Sequence, residues 1–291
     1  MAFLCVDIGA TNTVIGTGKQ DFETVEKYST RYFFENTDEL VEAVVRESSH
    51  ELEDLEHVAV AAAGPIDRAK GEFYPPNLSK ESFNLREMLS GYGDVKMMND
   101  ATAAVAGEYY YGRNSAEDMI YLTISSGIGA GVIVDGEILE GWGGNLGEVG
   151  HMEIGKDGVK CGCGGCDHWE AYSAGDRMPL MAEQLFNRNY KDSREIFEKQ
   201  EIGDRTAEKV IDKMQECNAR GFENLINLFN PEVIWVGGAV AQNHFEKVVE
   251  EPFEKVEDGL MNQEPIVEEN SLGEEAVVHG LKAACKGEFE L

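Results

Sequence analysis

The sequence predicts a two-domain α/β protein. Three observations carry this: short apolar runs alternate with segments of helical periodicity, the alternation restarts near residue 117, and each half opens with strand, glycine turn, strand. At 291 residues the chain is long enough for two domains of about 100–150 residues each. In the first half, the apolar run 2–6 ends in Asp7-Ile8-Gly9-Ala10-Thr11, a strand entering a glycine-containing turn. Segments 13–18 and 24–29 continue it as a meander. Segment 38–51 carries apolar residues at 40, 41, 44 and 45, the spacing of a helix with one buried face. A strand at 57–63 stops at Gly64-Pro65, and another at 95–98 is followed by Asn99-Asp100 and an alanine-rich helix over 101–111.

The second half repeats the theme. Strand 119–124 runs into a glycine-rich turn at 125–131, with strand 131–134 after it and Asp135-Gly136 as a hairpin turn. A loop-rich stretch covers 140–166. Helices are expected at 176–189 and 205–229, then strand 233–236 entering Gly237-Gly238, helix 240–255 and a closing helix at 274–286. The boundary falls in 112–117. The expected domains are a small one of 1–113 plus the C-terminal 274–291 and a large one of 114–273, with a ligand cleft between them.

The acid balance bounds the partners. There are 55 Asp+Glu against 25 Lys+Arg, a formal net charge of −30. Such a field repels phosphate backbones and anionic lipid, so neither nucleic acid nor a membrane is an expected partner. Disorder is excluded by a hydrophobic content of 42 % with 3 Trp, 10 Tyr and 13 Phe, enough for a core. Scarce basic residues beside abundant acids describe a hydrated carboxylate coat suited to high salt, where molar salt shortens the Debye length to about 3 Å. Three of the six cysteines crowd into 161–166 and the others are scattered, which is a metal cluster rather than a disulfide framework. The N-terminus carries no basic and apolar leader, and a cytoplasmic protein is expected.

Four elements carry chemistry. In the first turn, Asp7, Gly9 and Thr11 suit a phosphate and its cation: glycine lets backbone amides approach the anion, and the carboxylate can hold a metal ion through water. The second, Thr123 to Gly131, also lies between two strands, whereas dinucleotide fingerprints and Walker loops run directly into a helix. Two such hairpins, one per half, are the pattern of an actin-like ATPase. Third, Asp100 could accept the proton of a substrate hydroxyl attacking a γ-phosphate, although taken alone it reads as the N-cap of helix 101–111. Fourth, His151, Cys161, Cys163, Cys166 and His168 supply soft donors for a tetrahedral zinc ion within 18 residues. So many protein ligands leave no open position, so the zinc is expected to be structural.

Together these motifs resemble the ROK family of sugar kinases over essentially the whole chain. The markers are 7–12, Gly64-Pro65, the PPNL at 75–78, Asn99-Asp100, 123–131, GEVGH through Glu170, and NPEVIWVGGAV at 230–240. The resemblance implies a bilobal actin-like (ribonuclease H-like) fold and ATP-dependent phosphorylation of a hexose, with Mg²⁺, structural Zn²⁺ and a homodimer. Glucose at its 6-hydroxyl is the expected acceptor. N-acetylmannosamine, N-acetylglucosamine, mannose and fructose are the alternatives, followed by a non-catalytic sugar-binding regulator. It also implies that Asp100 is the general base and that Asn77, Asn99, Asp100, Glu148, His151 and Glu170 hold sugar hydroxyls. Asp7, Gly9, Thr11, Asn12, Ser126, Gly127, Gly129, Gly237 and Gly238 would serve the nucleotide. His151 would also ligate zinc, so the metal would order the sugar-binding loop.

Three departures stand out. Only two residues separate Cys163 from Cys166 where the family usually has four, yet the spacing from Cys163 to Glu170 is kept. In register, His168 takes the third cysteine's place, which favours His151, Cys161, Cys163 and His168 as ligands with Cys166 competing for the fourth position. Ala10 and Asn12 stand where many members have glycine and lysine, which removes one cation near the phosphates. Ser126 replaces the usual threonine and keeps the hydroxyl.

Overall fold

Strand β1 (Ala2–Ile8) is buried at every position but Asp7, as a central strand covered on both faces requires. In the computed structural model, which describes residues 2–48, 51–74, 82–256, 260 and 262–290, it is the middle of a five-stranded sheet. β2 (Asn12–Gly18) and β3 (Phe22–Ser29) continue from it antiparallel. Helices α1 (Thr30–Glu35) and α2 (Thr37–Glu47) follow. On α2, Leu40, Val41, Val44 and Val45 are buried, as their spacing predicts, while Asp38, Glu39, Glu42 and Glu47 face solvent. β4 (Leu55–Ala62) pairs parallel to β1 on its other side. A small sheet of β5 (Ile66–Asp67), β6 (Glu72–Phe73) and β7 (Phe83–Asn84) leads to α3 (Leu85–Leu89) and to β8 (Asp94–Asn99), which is parallel to β4.

Helix α4 (Asp100–Tyr111) explains the run of alanines. A Cβ on Gly107 would lie 2.0 Å from the Ala276 carbonyl oxygen, and one on Gly280 would lie 1.7 Å from that of Ala103. Only small side chains let α4 and the C-terminal α-helix touch backbone to backbone. Asn99, not Asp100, is the N-cap of α4: its Oδ1 accepts the Ala101 amide at 2.9 Å. The cap reading of Asp100 is therefore corrected. Asp100 stands in the first helical turn, and its own Oδ1 also accepts that amide at 2.9 Å.

The second sheet has the same order. β9 (Met119–Ile124) pairs antiparallel with β10 (Ile128–Val134) and parallel with β12 (Val233–Gly237); β11 (Glu137–Leu139) and β13 (Ile266–Glu269) lie at its edges. The expected turn at 125–131 is shorter in the structure, because Ile128 to Gly131 already pair with 121–124. Asp135 and Gly136 have φ of 51° and 75°, as a two-residue hairpin of this type requires.

Helices α5 (Trp169–Ser173), α6 (Met178–Phe186), α7 (Ser193–Glu201) and α8 (Arg205–Phe229) pack against one another. The expected helix 240–255 is broken into α9 (Ala239–Asn243), a π-helical turn (Glu246–Glu250) and α10 (Glu251–Glu254). Pro252 has no amide to return to the Val248 carbonyl, which instead accepts Asn218 Nδ2 at 2.8 Å. The chain ends on α11 (Ala276–Lys286).

Two compact units result. One comprises Met1–Ser115, Ile138–Leu146 and Ser271–Leu291; the other comprises Ala116–Glu137 and Gly147–Asn270. Among the described residues no helix is long and apolar enough to cross a membrane.

Candidate active site and metal centre

In the first unit the candidate residues gather at the carboxyl edge of the parallel strands, where open α/β sheets bind ligands. Ile8 of β1, Ala62 of β4 and Asn99 of β8 share one row of the register. Asp7 thus lies one residue before that row and Asp100 one after it, two strands apart, or about 10 Å. Burial, and then the charge of Asp100, push the Asp7 carboxyl up to about 7, against a smaller opposing pull from Lys27. Between β1 and β2 the turn is tight: the Gly9 amide donates to the Asn12 carbonyl at 2.9 Å, and a Cβ on Gly9 would meet that oxygen at the same distance. Thr30 locks it, donating its hydroxyl to the Gly9 carbonyl at 2.8 Å and its amide to the Thr11 carbonyl at 2.9 Å. Thr11 and Asn12 are exposed. Asn77 and the PPNL segment lie outside the described residues.

In the second unit a turn of 125–127 joins β9 and β10. The Ser125 amide donates to the Gly127 carbonyl at 2.9 Å, and the Gly175 amide to the Ser125 carbonyl at 2.7 Å. Gly237 pairs with Thr123, so Gly237-Gly238 sit at the same carboxyl edge as this turn. Gly129 lies in β10, where an added Cβ would meet only Thr123 Cγ2 at 3.7 Å, so packing does not demand a glycine there.

The block 147–151 is pressed against β10. Gly147 has φ of 98°, its carbonyl accepts the Ala130 amide at 2.8 Å, and a Cβ there would fall 1.8 Å from the Ala130 carbonyl oxygen. Gly150 meets the Ile128 carbonyl in the same way, at 2.3 Å. This backbone contact holds the 3₁₀ turn Val149–His151 and presents Glu148 and His151 together. His151 Nε2 lies 3.8 Å from a Glu148 carboxylate oxygen, while its Nδ1 lies 3.7 Å from the Cys161 sulfur. Glu170 accepts the Ile128 amide at 3.3 Å, and its other oxygen lies 3.8 Å from Cys161 Sγ. Desolvation raises the Glu148 carboxyl, with His151 pulling it down and Glu170 pushing it up.

His151, Cys161, Cys163 and His168 each bring one donor atom within 4.8 Å of all the others. Cys166 is outside this group; it is exposed and its backbone bridges to Lys160. Cys163 Sγ and His168 Nδ1 are 3.3 Å apart. Donors on a tetrahedron with bonds of about 2.0–2.3 Å lie about 3.3–3.8 Å apart, so the His151–Cys161 and Cys163–His168 pairs both fit a zinc-sized ion. Burial pushes the Cys161 thiol up to about 11, so a metal ion would have to displace its proton.

Sequence reasoning missed the residues that hold these groups. Asp167 is buried with φ of 61°; it accepts the amides of Gly158 (2.8 Å), Val159 (3.0 Å) and Asp157 (3.1 Å) and the Tyr172 hydroxyl (2.5 Å). Burial would raise its carboxyl, but these bonds together hold it below the usual range. Trp169, fully buried, donates Nε1 to Asn218 at 2.7 Å. The one signal available was an aspartate in a glycine-rich loop, where its acceptor oxygens can bind free amides.

The family model for the ROK family matches residues 3–288. A glucokinase from Pyrobaculum calidifontis is 35 % identical over 198 residues, 67 % of each chain. Among solved structures, a ROK hexokinase from Thermus thermophilus superposes with a TM-score of 0.83 at 27 % identity, covering 99 % of both chains. A ROK family glucokinase from Streptomyces griseus, solved with glucose and AMPPNP, gives a TM-score of 0.78 at 25 % identity, covering 98 % of this chain and 99 % of its own.

Proposed function

The chain belongs to the ROK family, and we propose that it transfers the γ-phosphoryl group of ATP to a hexose, glucose at its 6-hydroxyl. Its fold is the two-domain actin-like ATPase fold of the ROK sugar kinases. The observation that carries the catalytic assignment is the placing of Asp100. Asp100 follows the Asn99 cap in the first turn of α4, at the carboxyl edge of the first sheet, as a second carboxylate whose charge acts on Asp7.

In this reading Asp100 accepts the 6-hydroxyl proton as that oxygen attacks the γ-phosphorus, and ADP departs with the electron pair of the broken bond. Asn99, Asp100, Glu148, His151 and Glu170 bind sugar hydroxyls, and Asn77 is assigned with them on the family pattern alone. Carboxylate and amide groups suit a polyol because a sugar lacking one hydroxyl would leave a buried polar group unpaired. The turns at 9–12 and 126–127, with Gly129 and Gly237-Gly238, serve the nucleotide. Asp7 would hold Mg²⁺ through water, and the cation would neutralise phosphate charge beside an acidic protein. His151, Cys161, Cys163 and His168 would hold a structural Zn²⁺ whose charge fixes the His151 ring. A homodimer in the cytoplasm, where ATP is available, completes the proposal, with neither nucleic acid nor membrane as partner; the −30 charge supports both exclusions and a high-salt setting.

The test is an ADP-release assay in molar KCl across glucose, mannose, fructose, N-acetylglucosamine and N-acetylmannosamine. Glucose should give the highest kcat/KM. Asp100→Asn should lower kcat by about 10²- to 10⁴-fold while calorimetry still detects glucose binding. Near-normal turnover in that variant would end the assignment.

A further inference from the structure

Residues 167–170 alternate anchors with functional groups. Asp167 is tied to three amides and a phenol, His168 is a metal donor, Trp169 is locked in the core, and Glu170 lies against the second glycine turn. The hydrogen-bond partners of both anchors are protein groups. The Asp167 backbone adds to its side chain: its amide donates to the Val159 carbonyl at 2.8 Å, and its carbonyl accepts the Ile154 and Gly155 amides at 2.9 and 3.0 Å. A non-glycine residue in the left-handed region carries a conformational cost, which these bonds offset. Trp169 fits because Gly221 has no side chain; a Cβ there would lie 2.4 Å from the indole ring. Asn218, itself fully buried, accepts the indole N–H and donates to the Val248 carbonyl that Pro252 cannot satisfy.

We propose that Asp167 and Asn218 are positioning residues that set His168 and Glu170 in place before any metal binds. This rests on reading His168 as a metal ligand and Glu170 as a sugar contact, and it divides the work of ordering the loop. The Asp167 and Trp169 anchors fix the 157–159 and 167–170 arms, the packing of Gly147 and Gly150 on β10 fixes the His151 turn, and a metal ion would add only the link to the 161–163 arm. Metal affinity and sugar affinity then both depend on two residues that touch neither ligand.

The test follows backbone amide exchange at 157–159 in the full chain, as purified and after dialysis against a chelator. Wild type should protect these amides equally in both states. Asp167→Ala should lose the protection and release zinc to a colorimetric chelator about 10- to 100-fold faster. Asn218→Ala should raise the KM for glucose by more than it lowers kcat, because Glu170 is displaced rather than removed. Loss of protection in wild type on chelation would overturn the proposal, as would zinc release from Asp167→Ala at the wild-type rate. If the purified chain binds no zinc, the metal assignment fails, and the exchange measurement still decides whether the anchors alone order the loop. Should Asp167→Ala not fold, Tyr172→Phe removes only the hydroxyl and should speed exchange at the same three amides; wild-type exchange there would equally overturn the proposal.

Discussion

Replacing Asp7 by Asn should make the protein more stable at pH 8 and less able to turn over substrate. The Asp7 carboxyl titrates at about 7 in the folded protein against its ordinary 3.8. Between those values the folded chain holds a proton that the unfolded chain has lost, so stability from this group falls as pH rises through the window. Over the window from 3.8 to about 7, at 1.36 kcal/mol per pH unit, the accumulated cost above pH 7 is about 4 kcal/mol. Asn is uncharged throughout and escapes it. The measurement is urea unfolding of wild type and Asp7→Asn at pH 5 and pH 8, in molar KCl with EDTA and no nucleotide. The advantage of the variant should grow by about 3 kcal/mol between the two pH values. Because burial is the larger cause and Asp100 the second, Asp100→Asn should reduce this pH dependence without abolishing it. An Asp7→Asn protein no more stable than wild type at pH 8, or an advantage independent of pH, would refute the reasoning. Catalysis should suffer in the same variant, since the costly carboxylate is the one assigned to Mg²⁺.

Three further outcomes follow from particular contacts. His168→Ala should drop the zinc content well below one per chain while Cys166→Ser leaves it unchanged, because the Cys166 sulfur lies outside the donor group; atomic absorption on the purified variants decides this. Gly147→Ala should destabilise the chain by roughly 1–3 kcal/mol and raise the glucose KM, since the new Cβ must displace the Ala130 carbonyl from 1.8 Å; thermal denaturation and initial rates check both. The melting temperature should rise from dilute buffer to molar KCl as the −30 charge is screened, and equal stability in the two solvents would contradict the high-salt reading.

Much of the scaffold was legible because local rules and tertiary packing agree there. Helix α8 starts and stops at the residues its periodicity and caps predict: Asp204 accepts the Thr206 and Ala207 amides, and Asn230 turns left-handed at its end. β9 was bounded correctly by its apolar run. Failures came where a distant partner overrides the local pattern. Gly129 read as turn but belongs to β10, because pairing with β9 fixes the register. The helix expected through 240–255 is interrupted at His244, whose φ is −141°, and is π-helical ahead of Pro252, where Asn218, far away in sequence, bonds the Val248 carbonyl. Helices α1 and α5 and strand β13 are too short for periodicity to announce, and α7 buries only the adjacent Ile196 and Phe197, which make no helical repeat. At the candidate metal centre the donor types were readable, and register with the family pattern singled out His168. Asp167 was not, since its value lies in three amides brought to it by the folded loop.

The sign of each carboxyl shift separates scaffold from site in a chain with 55 acids. Asp21 is lowered first by its hydrogen bond from Lys282, Asp204 first by the Ala207 amide it caps, and Asp167 by its phenol and amide bonds despite burial. Each of these charges already has donors inside the fold, so its work ends with folding. Asp7 and Glu148 go the other way, raised first by desolvation, Asp7 at a half-buried strand position and Glu148 although its side chain is 45 % exposed, so only Asp7 is a carboxylate withdrawn from water. A carboxylate removed from water without sufficient donors destabilises the fold when ionised, and a fold retains such a group where a ligand supplies the missing partner. In the proposed function, a cation held through water is the partner that would meet Asp7. On that reading the desolvation of Asp7 that costs stability would also favour a cation over a neutral ligand, because only a positive charge relieves it.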